Sequence, residues 1–377
     1  MQTNRRTFLA GAGMGAGIGA GLAGSAASAT IIPGPVAPDF GPMPGQALLS
    51  RNENPYGPAP SAIRAINRSA SFGCYYADRG LRRLQDMIAA RHNVRSEQVV
   101  VGSGSTEILC AIALAWGREG AILCPDLFWD TTVVYGERQG VKSIRVPLAA
   151  NMNVDLAAMQ AALTDEVSLI QICNPNNPTG VLIPAADLRA FSKAIKNTAT
   201  LLVDEAYNEL TDDPADNTMI DLVREGADVI VCRTFSKIYG MAGMRVGYAI
   251  TSEENADRIR GYLMSFGGNV SGVAAAMASY DDTEFLDRSR AMVIEGREMI
   301  MAAVKEAGLT ALPSQTNFVY VEVPDADAVQ AAMRERGILI RGAYGPWTQY
   351  SRVSTGKLED VARYAEALPQ VIDSMRT

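Results

Sequence analysis

The sequence TFSKIYGMAGMRVGYAI, residues 234–250, contains a lysine in an unusual position. It places Lys237 between a serine and a glycine-rich apolar run, with Arg245 eight residues later. The ordinary explanation is a solvated lysine at the end of a strand, since lysine is rarely fully buried. The functional explanation is a nucleophilic amine, because an amine with a lowered pKa condenses with an aldehyde to form a Schiff base. Whether Lys237 is a solvated lysine or a nucleophilic amine depends on the residues that surround it in the fold.

Five short apolar runs alternate with longer helical patterns in the middle of the chain. They end at Gly102, Cys124, Cys173, Asp204 and Thr234. Continuous apolar strands separated by helices predict an α/β fold with a mostly parallel sheet buried on both faces. Ligands bind beyond the carboxyl ends of the strands in such sheets. The groups that end or follow these runs are therefore candidate site residues.

Each run ends in, or is followed by, a group with a different chemistry. The turn GSGSTE (102–107) opens a helix whose first N–H groups suit a phosphate. An aromatic ring follows the second run, the amide-rich turn NPNNPTG (174–180) follows the third, a carboxylate ends the fourth, and Lys237 follows the fifth. Taken singly, the first three are also typical of a helix cap, a core ring and a tight turn, and the buried carboxylate needs a partner. The candidates are Ser105, Thr106, Phe128 or Trp129, Asn177, Asp204 and Lys237.

Together these groups match pyridoxal 5′-phosphate (PLP) part by part. The cofactor has a phosphate, a ring face, a phenolic oxygen, a pyridinium nitrogen and an aldehyde. Asp204 would keep the ring nitrogen protonated, which makes the ring an electron sink. Lys237 would hold the aldehyde and later move the proton of the substrate's α-carbon.

Composition argues against several other classes of function. The 377-residue chain has a formal charge of −7 and scattered lysines and arginines, so we expect no nucleic acid partner. A Ser-His-Asp triad or a His-rich metal site would have to be built around one histidine, His92, which we expect at the surface near a helix end. The five cysteines have no C-x-x-C spacing, so we expect reduced thiols and no metal site.

Residues 1–29 have the features of a twin-arginine signal peptide. Arg5 and Arg6 precede a glycine- and alanine-rich run that ends in the small residues Ala27, Ser28 and Ala29. We expect cleavage after Ala29 and a periplasmic location. We expect no membrane anchor, because so many glycines make a poor transmembrane helix. Export in the folded state suits a chain that acquires a cofactor in the cytoplasm.

Six ordered motifs resemble the fold-type I aminotransferases of the histidinol-phosphate aminotransferase group. They are RNENPYGPAP (51–60), GSGSTEIL (102–109), NPNNPTG (174–180), DEAY (204–207), RTFSKIYGMAGMRVGYAI (233–250) and SRVSTG (351–356). The resemblance covers about residues 45–370 and implies the PLP-dependent transferase fold, type I. It implies an aminotransferase that moves an amino group between an amino acid, or a histidinol-phosphate-like amine, and a 2-oxo acid through a Schiff base on Lys237.

The resemblance also implies a role for each matching residue. Asp204 would pair with the pyridine nitrogen, Asn177 and Tyr207 with the phenolic oxygen, and Trp129 with the ring face. The phosphate would be held by Ser105, Thr106, Ser236 and Arg245. The substrate would contact Asn54, Tyr344 and Arg352, whose bidentate fork suits an α-carboxylate. Tyr76 matches a tyrosine that reaches the phosphate of the partner subunit, which implies a homodimer.

The chain departs from the family pattern in three places. It reads Tyr76-Ala77-Asp78 where the family usually has YPD, and Trp129 stands where Tyr or Phe is more usual. The segment RGAYGPWTQYSRVSTG (341–356) also differs, through Tyr344, Trp347 and Tyr350. These aromatic residues suit an apolar or aromatic substrate side chain. Combined with the export signal, they predict an unphosphorylated amino acid as substrate.

The predicted architecture has a large domain and a small one. Residues 70–264 would form the large α/β domain, which holds the mostly parallel sheet. A smaller α+β domain would combine the N-terminal lead, residues 30–69, with residues 265–377. SQTNFVYVEV (314–323) predicts a strand there, and DAVQAAMRERG (327–337) predicts a helix closed by Gly337.

Three alternatives remain open at the level of the sequence. A related PLP enzyme such as an amino-acid phosphate decarboxylase would use the same cofactor site, because the cofactor does not choose which bond breaks. A non-enzymatic sensor would normally carry a DNA-binding segment, which the acidic charge and the signal peptide oppose. A dinucleotide oxidoreductase is disfavoured because GSGSTE lacks the G-x-G-x-x-G spacing.

Overall fold

The computed structural model describes residues 38–196 and 198–376. The chain divides into two units between residues 43 and 44. Residues 38–43 of the first unit contain bends and no helix or strand. The predicted signal peptide, residues 1–29, lies outside the described residues. The fold and the site described below belong to the second unit.

The strands are short and lie along the whole of the second unit. In chain order they are β1 (Ala47–Leu48), β2 (Val99–Gly102), β3 (Ala121–Pro125), β4 (Ser143–Val146), β5 (Val167–Cys173), β6 (Thr200–Asp204), β7 (Val229–Thr234), β8 (Gly247–Ile250), β9 (Thr310–Ala311), β10 (Phe318–Glu322), β11 (Ile338–Leu339) and β12 (Tyr350–Ser354).

Helices separate most of these strands. They are α1 (Pro60–Ser69), α2 (Asp78–His92), α3 (Ser105–Gly117), α4 (Thr131–Arg138), α5 (Leu156–Ala161), α6 (Ala185–Ala194), α7 (Ile220–Arg224), α8 (Glu253–Arg260), α9 (Val270–Tyr280), α10 (Thr283–Glu306), α11 (Ala326–Glu335) and α12 (Leu358–Arg376). Short 3₁₀ turns lie at Ala70–Phe72, Ser96–Gln98, Asn208–Leu210 and Ala242–Met244.

The largest sheet in the described part of the chain has seven strands in the order β2-β8-β7-β6-β5-β3-β4. Strands β7, β6, β5, β3 and β4 pair in parallel, and β8 runs antiparallel to both of its neighbours. The five predicted runs are β2, β3, β5, β6 and β7, so the prediction of a mostly parallel sheet is confirmed. Strands β4 and β8 were not predicted.

The central strands are buried on both faces because successive side chains point in opposite directions. Leu201 and Val203 of β6 belong to one hydrophobic core, and Leu202 between them belongs to the core on the other face. Strands β2, β3, β5, β6 and β7 run in the same direction, so their carboxyl ends lie at one edge of the sheet. This edge holds the groups predicted to form the site.

A further hydrophobic core lies outside this sheet. It contains Ala47 and Leu49 together with residues from α10 to α12, and it packs around the antiparallel sheet β12-β10-β9 and the parallel pair β1-β11. The domain boundaries at residues 70 and 265 stay predictions. Helices α1 and α9, on the far sides of these boundaries, pack against each other and contribute residues to the core of the large sheet. The predicted strand at 314–323 is β10, and α11 is followed by Gly337 at φ +72°.

His92 ends α2 as expected, but the expectation of a surface position was wrong. Its ring is half-buried, with Nε2 3.5 Å from the Tyr248 hydroxyl. Burial, followed by the charges of Arg233, Arg91 and Arg224, lowers its pKa to about 3. His92 is therefore neutral at physiological pH and acts as a packing residue.

Candidate active site

A cleft of about 740 Å³ opens at the carboxyl edge of the large sheet. Its walls come from this edge, from residues 50–53 and from residues 330–352. Eleven of the predicted site residues line it: Ser105, Thr106, Trp129, Asn177, Asp204, Tyr207, Ser236, Lys237, Arg245, Tyr344 and Arg352. The fold thus brings together groups that are up to 247 residues apart in the sequence.

Lys237 lies three residues beyond the end of β7, and its amine points into the cleft. Nζ donates a hydrogen bond to the backbone oxygen of Asn52 at 3.2 Å. Burial lowers the pKa of Lys237 to about 8, and the nearby charge of Arg352 acts in the same direction. A lowered pKa raises the neutral fraction of the amine, which is the form that attacks an aldehyde. The surroundings of Lys237 therefore favour the nucleophilic explanation.

Asp204 is the last residue of β6, between the ends of β5 and β7. Its side chain is 4 % exposed, and Oδ1 has no hydrogen-bond partner among the described residues. Burial raises the pKa of Asp204 to about 7, although the Ala206 N–H and Lys237 oppose that shift. A buried carboxylate oxygen without a donor is costly. The protonated ring nitrogen of PLP is a donor that would satisfy it.

Tyr207 and two amide side chains form a hydrogen-bonded group beside Lys237. The Tyr207 hydroxyl accepts from Nδ2 of Asn52 at 3.1 Å and from Nδ2 of Asn177 at 3.3 Å. The orientation of Asn177 is fixed because its Oδ1 accepts from Nη1 of Arg352 at 2.7 Å, and arginine can only donate. With two amides donating to its oxygen, the Tyr207 hydroxyl has its own proton left to donate. The phenolic oxygen of the cofactor is a suitable acceptor.

The phosphate-binding candidates surround the N-terminus of α3. Ser105 is the first residue of that 13-residue helix, and the preceding Gly104 has φ +80° and no side-chain cap. Arg245 lies so close that a Cβ at position 104 would overlap its guanidinium group, and a Cβ on Gly247 would overlap the Ser105 amide. Uncapped helical N–H groups beside an arginine form an anion site. The glycines keep this site open, and the geometry fits the phosphate of PLP.

Two predicted site residues lie away from this cleft. Asn54 has its Nδ2 bound to the Ile238 backbone oxygen and to Ser289 Oγ, both at 2.7 Å, so it anchors the backbone instead of lining the cleft. Asn52, two residues earlier, faces the cleft in its place. Tyr76 is 71 % exposed and packs against Phe266, with 4.5 Å between the ring centroids. The described chain alone gives Tyr76 no contact with the cleft.

Sequence reasoning missed four arginine and asparagine residues that line the cleft. They are Arg51, Asn52, Arg334 and Arg341. Of the aromatic residues in the divergent segment 341–356, Tyr344 lines the cleft, whereas Trp347 and Tyr350 do not. Tyr350 instead stacks on Tyr320, with 4.9 Å between the ring centroids.

Residues 38–196 and 198–376 contain no group of three or more His, Cys, Asp or Glu side chains placed to hold a metal ion. Over the same ranges, no helix combines the length and the apolar character that crossing a membrane requires. Cys124, Cys173 and Cys232 are buried and unbridged, in agreement with the expected reduced thiols.

Comparison with known proteins agrees with this geometry. Residues 44–368 match the family model for aminotransferase class I and II. The histidinol-phosphate aminotransferase of Symbiobacterium thermophilum is 35 % identical over 85 % of this chain and 89 % of its own length. Histidinol-phosphate aminotransferase 1 of Dechloromonas aromatica is 36 % identical over 86 % of this chain and 89 % of its own length.

A solved structure gives the same result in three dimensions. The histidinol-phosphate aminotransferase of Sinorhizobium meliloti, crystallised in complex with pyridoxal-5′-phosphate, superposes with a TM-score of 0.78 at 31 % identity. The match covers 87 % of this chain and 90 % of that one. The predicted fold is confirmed. By its sequence, its fold and the residues gathered at the edge of its sheet, this chain belongs to the class I and II aminotransferase family.

Proposed function

We propose that this PLP-dependent aminotransferase is exported and acts on unphosphorylated amino acids and 2-oxo acids. A pair of opposed arginines at the wall of the cleft, Arg341 and Arg352, carries the assignment of an anionic group on the substrate. Membership of the family indicates the class of reaction, and the residues that line the cleft fit the cofactor.

PLP is the cofactor that the cleft residues fit. Arg245, Ser236 and the first N–H groups of α3 would hold its phosphate, and Trp129 would lie against its ring. When bound, PLP withdraws electrons from the α-carbon of an attached amine, which makes the proton on that carbon acidic. Asp204 would support this property by holding the ring nitrogen in its protonated form.

Residues of the cleft would hold and transfer the protons of the reaction. Lys237 Nζ would serve as the base of the reaction, since its lowered pKa of about 8 would let it take up and return a proton near neutral pH. The Asn52 backbone oxygen orients the amine. Tyr207, held by Asn52 and Asn177, would donate its hydroxyl proton to the phenolic oxygen of PLP.

Arg352 is placed to bind an anionic group of the substrate. Its Nη1 and Nη2 are used by Asn177 and by the Ser50 backbone oxygen, at 2.7 and 2.8 Å, and its buried Nε has no partner among the described residues. Arg341 is directly opposite on the neighbouring segment, where the two residues exchange both backbone hydrogen bonds at 3.0 and 3.2 Å. Directly opposed side chains share one face, and like charges there repel. A bound carboxylate or phosphate relieves that repulsion.

A carboxylate is our choice, because the predicted export signal argues against a phosphorylated metabolite. The expected preference for an apolar side chain has less support, since only Tyr344 of the three aromatic residues lines the cleft. Its ring centroid is 5.1 Å from the guanidinium carbon of Arg341 and 5.5 Å from that of Arg352. Tyr344 therefore belongs to the anion-binding wall.

The predicted homodimer is part of the same proposal. Large apolar side chains are exposed around Tyr76, namely Phe72, Tyr75, Met264 and Phe266. Exposed apolar groups of this kind are typical of an interface. We propose that Tyr76 reaches the cofactor phosphate of a partner subunit, so that Tyr76→Ala weakens PLP binding while a dimer still forms.

A substrate screen with the purified protein tests this function. Amino acids and 2-oxo acids should exchange amino groups, with a higher kcat/KM than histidinol phosphate gives. A clear preference for histidinol phosphate would overturn the unphosphorylated substrate. Cytoplasmic retention of the full-length chain would overturn export, and release of CO₂ would favour the phosphate decarboxylase alternative, which has less support because the relatives above are named aminotransferases.

A further inference from the structure

The carboxylate of Glu107 links two distant segments of the chain. Glu107 lies in the first turn of α3, three residues after the N-cap residue Gly104. Its Oε2 accepts from the backbone N–H of Ser103 at 2.6 Å, and its Oε1 accepts from the backbone N–H of Met264 at 3.1 Å. A glutamate at this position ordinarily bonds to the backbone at the start of its own helix, as the contact with Ser103 does. The bond to Met264, 157 residues away, is not part of that cap.

Ser103 makes a second connection between the same two segments. Its Oγ donates to the backbone oxygen of Gly267. Gly267 lies so close that a Cβ there would be 3.3 Å from Glu107 Oε1 and 3.4 Å from Ser103 Oγ. Residues 264 and 267 are therefore both fixed to the turn before α3, next to the N–H groups of the phosphate site. Neither Glu107 nor Ser103 lines the cleft, so neither is a direct ligand of the cofactor.

The two fixed positions lie on either side of Phe266. Its backbone has a φ of +60°, a left-handed conformation that is unfavourable for a residue with a Cβ. Such a conformation persists where the surrounding structure imposes it. The Phe266 ring packs against the exposed ring of Tyr76, with 4.5 Å between the ring centroids. The bonds from Glu107 and Ser103 therefore hold the residue that supports Tyr76.

We propose that Glu107 is a positioning residue for Tyr76. It fixes residues 264–267, and these residues hold Tyr76 in the orientation in which it contacts the cofactor phosphate of the partner subunit. The inference rests on the homodimer proposed above. Its consequence is that Glu107 of one subunit strengthens PLP binding in the other subunit, without touching the cofactor in either.

The test measures the Kd of PLP for the cofactor-free protein by fluorescence titration. Glu107→Gln keeps the size of the side chain, but a carboxamide presents one acceptor oxygen where the carboxylate presents two. One of the two backbone N–H groups therefore loses its acceptor, and we expect the Kd to rise about tenfold. Removal of a negative charge near an anion site would by itself lower the Kd, so a rise cannot come from the change of charge.

Two further variants accompany Glu107→Gln. Ser103→Ala removes only the side-chain bond to Gly267 and should raise the Kd about threefold. It tests the same connection if Glu107→Gln does not fold. Glu254→Gln is the matched control, because Glu254 is an exposed carboxylate in the first turn of a different helix, α8. Its replacement should leave the Kd unchanged.

A double-mutant cycle shows whether Glu107 acts through Tyr76. Tyr76→Ala alone should raise the Kd about tenfold, through the loss of a hydrogen bond to the phosphate. Adding Glu107→Gln or Ser103→Ala to Tyr76→Ala should raise the Kd by less than about twofold more, because residues that act on one contact are not additive. Multiplied effects would assign Glu107 to its own phosphate turn and overturn the proposal. An unchanged Kd in Glu107→Gln or in Tyr76→Ala would also overturn it.

Sedimentation of the wild-type protein separates failure of this inference from failure of the homodimer. A wild type that is monomeric with PLP bound would contradict the homodimer and this inference together. A dimeric wild type in which the effects of Glu107→Gln and Tyr76→Ala multiply would contradict the role of Glu107 alone.

Discussion

Replacement of Asp204 by asparagine should stabilise the cofactor-free protein and lose most of that effect when PLP is bound. In the cofactor-free fold, burial raises the pKa of Asp204 to about 7 from an ordinary 3.8. At pH values between 3.8 and about 7, the folded state holds a proton that the unfolded state has released. The contribution of Asp204 to the free energy of unfolding therefore falls as the pH rises. At pH 8 the cost reaches about 4 kcal/mol, from about 1.4 kcal/mol for each pH unit between the two pKa values.

Asparagine has the same shape and carries no charge, so it avoids this cost. Cofactor-free Asp204→Asn should therefore melt at a higher temperature than the cofactor-free wild type at pH 8. The difference should shrink toward pH 5, where the wild-type side chain is itself largely protonated. With PLP bound, the advantage of asparagine at pH 8 should shrink to a small remainder, because a hydrogen bond to a charged group contributes about 1.5–3 kcal/mol and only the carboxylate pairs with a pyridinium nitrogen.

The assay compares Tm with and without PLP, at pH 5 and pH 8, for both proteins and for Asp257→Asn. Asp257 is an exposed member of a surface ion pair with Arg260, and its replacement should change Tm little. Asp204→Asn should still bind PLP through the phosphate site, and its turnover should fall roughly a hundredfold for a loss of about 3 kcal/mol. Normal turnover, or a cofactor-free variant less stable than the wild type at pH 8, would refute this account of Asp204.

Three further predictions concern other parts of the fold. Gly104→Ala should weaken PLP binding at least tenfold in a fluorescence titration, because φ is +80° there and a Cβ would overlap Arg245; equal affinity would contradict the phosphate site. Arg352→Gln should raise the pKa of Lys237 above about 8, since the charge of Arg352 lowers it, and the pH profile for covalent PLP uptake should shift upward. Arg233→Met removes the 2.8 Å partner of the fully buried Glu205 and should cost about 3–5 kcal/mol of stability, whereas Arg95→Met, which breaks an exposed pair with Glu253, should cost less than about 1 kcal/mol.

The strand ends could be predicted from the sequence because burial on both faces leaves a continuous apolar run. This applies to β5 and β6, which run through the middle of the sheet and end at Cys173 and Asp204. Strand β4, with the sequence SIRV, lies at the edge and is only partly buried, so it has no such run. The four-residue strand β8 lies inside the glycine-rich motif and was not separated from it.

The substrate side of the cleft was less predictable, because its residues are placed by tertiary packing. Asn52 and Asn54 stand in one motif, but of the two only Asn52, which has a φ of +55°, lines the cleft. No periodic pattern contains that information. Exposed arginines such as Arg334 have no sequence signal, since their place in the cleft depends on where α11 packs. Trp347 and Tyr350 were assigned to the substrate on proximity to Arg352 in the sequence, which does not fix the direction of a side chain.

The central claim is that Lys237 holds PLP covalently, and borohydride reduction tests it most directly. The purified protein should be yellow, and reduction should fix the cofactor irreversibly to one peptide. Mass spectrometry of a digest should place the adduct on Lys237, with its amine beside Asn52 and Asp204. An adduct on another lysine, or none after reconstitution with PLP, would contradict the account.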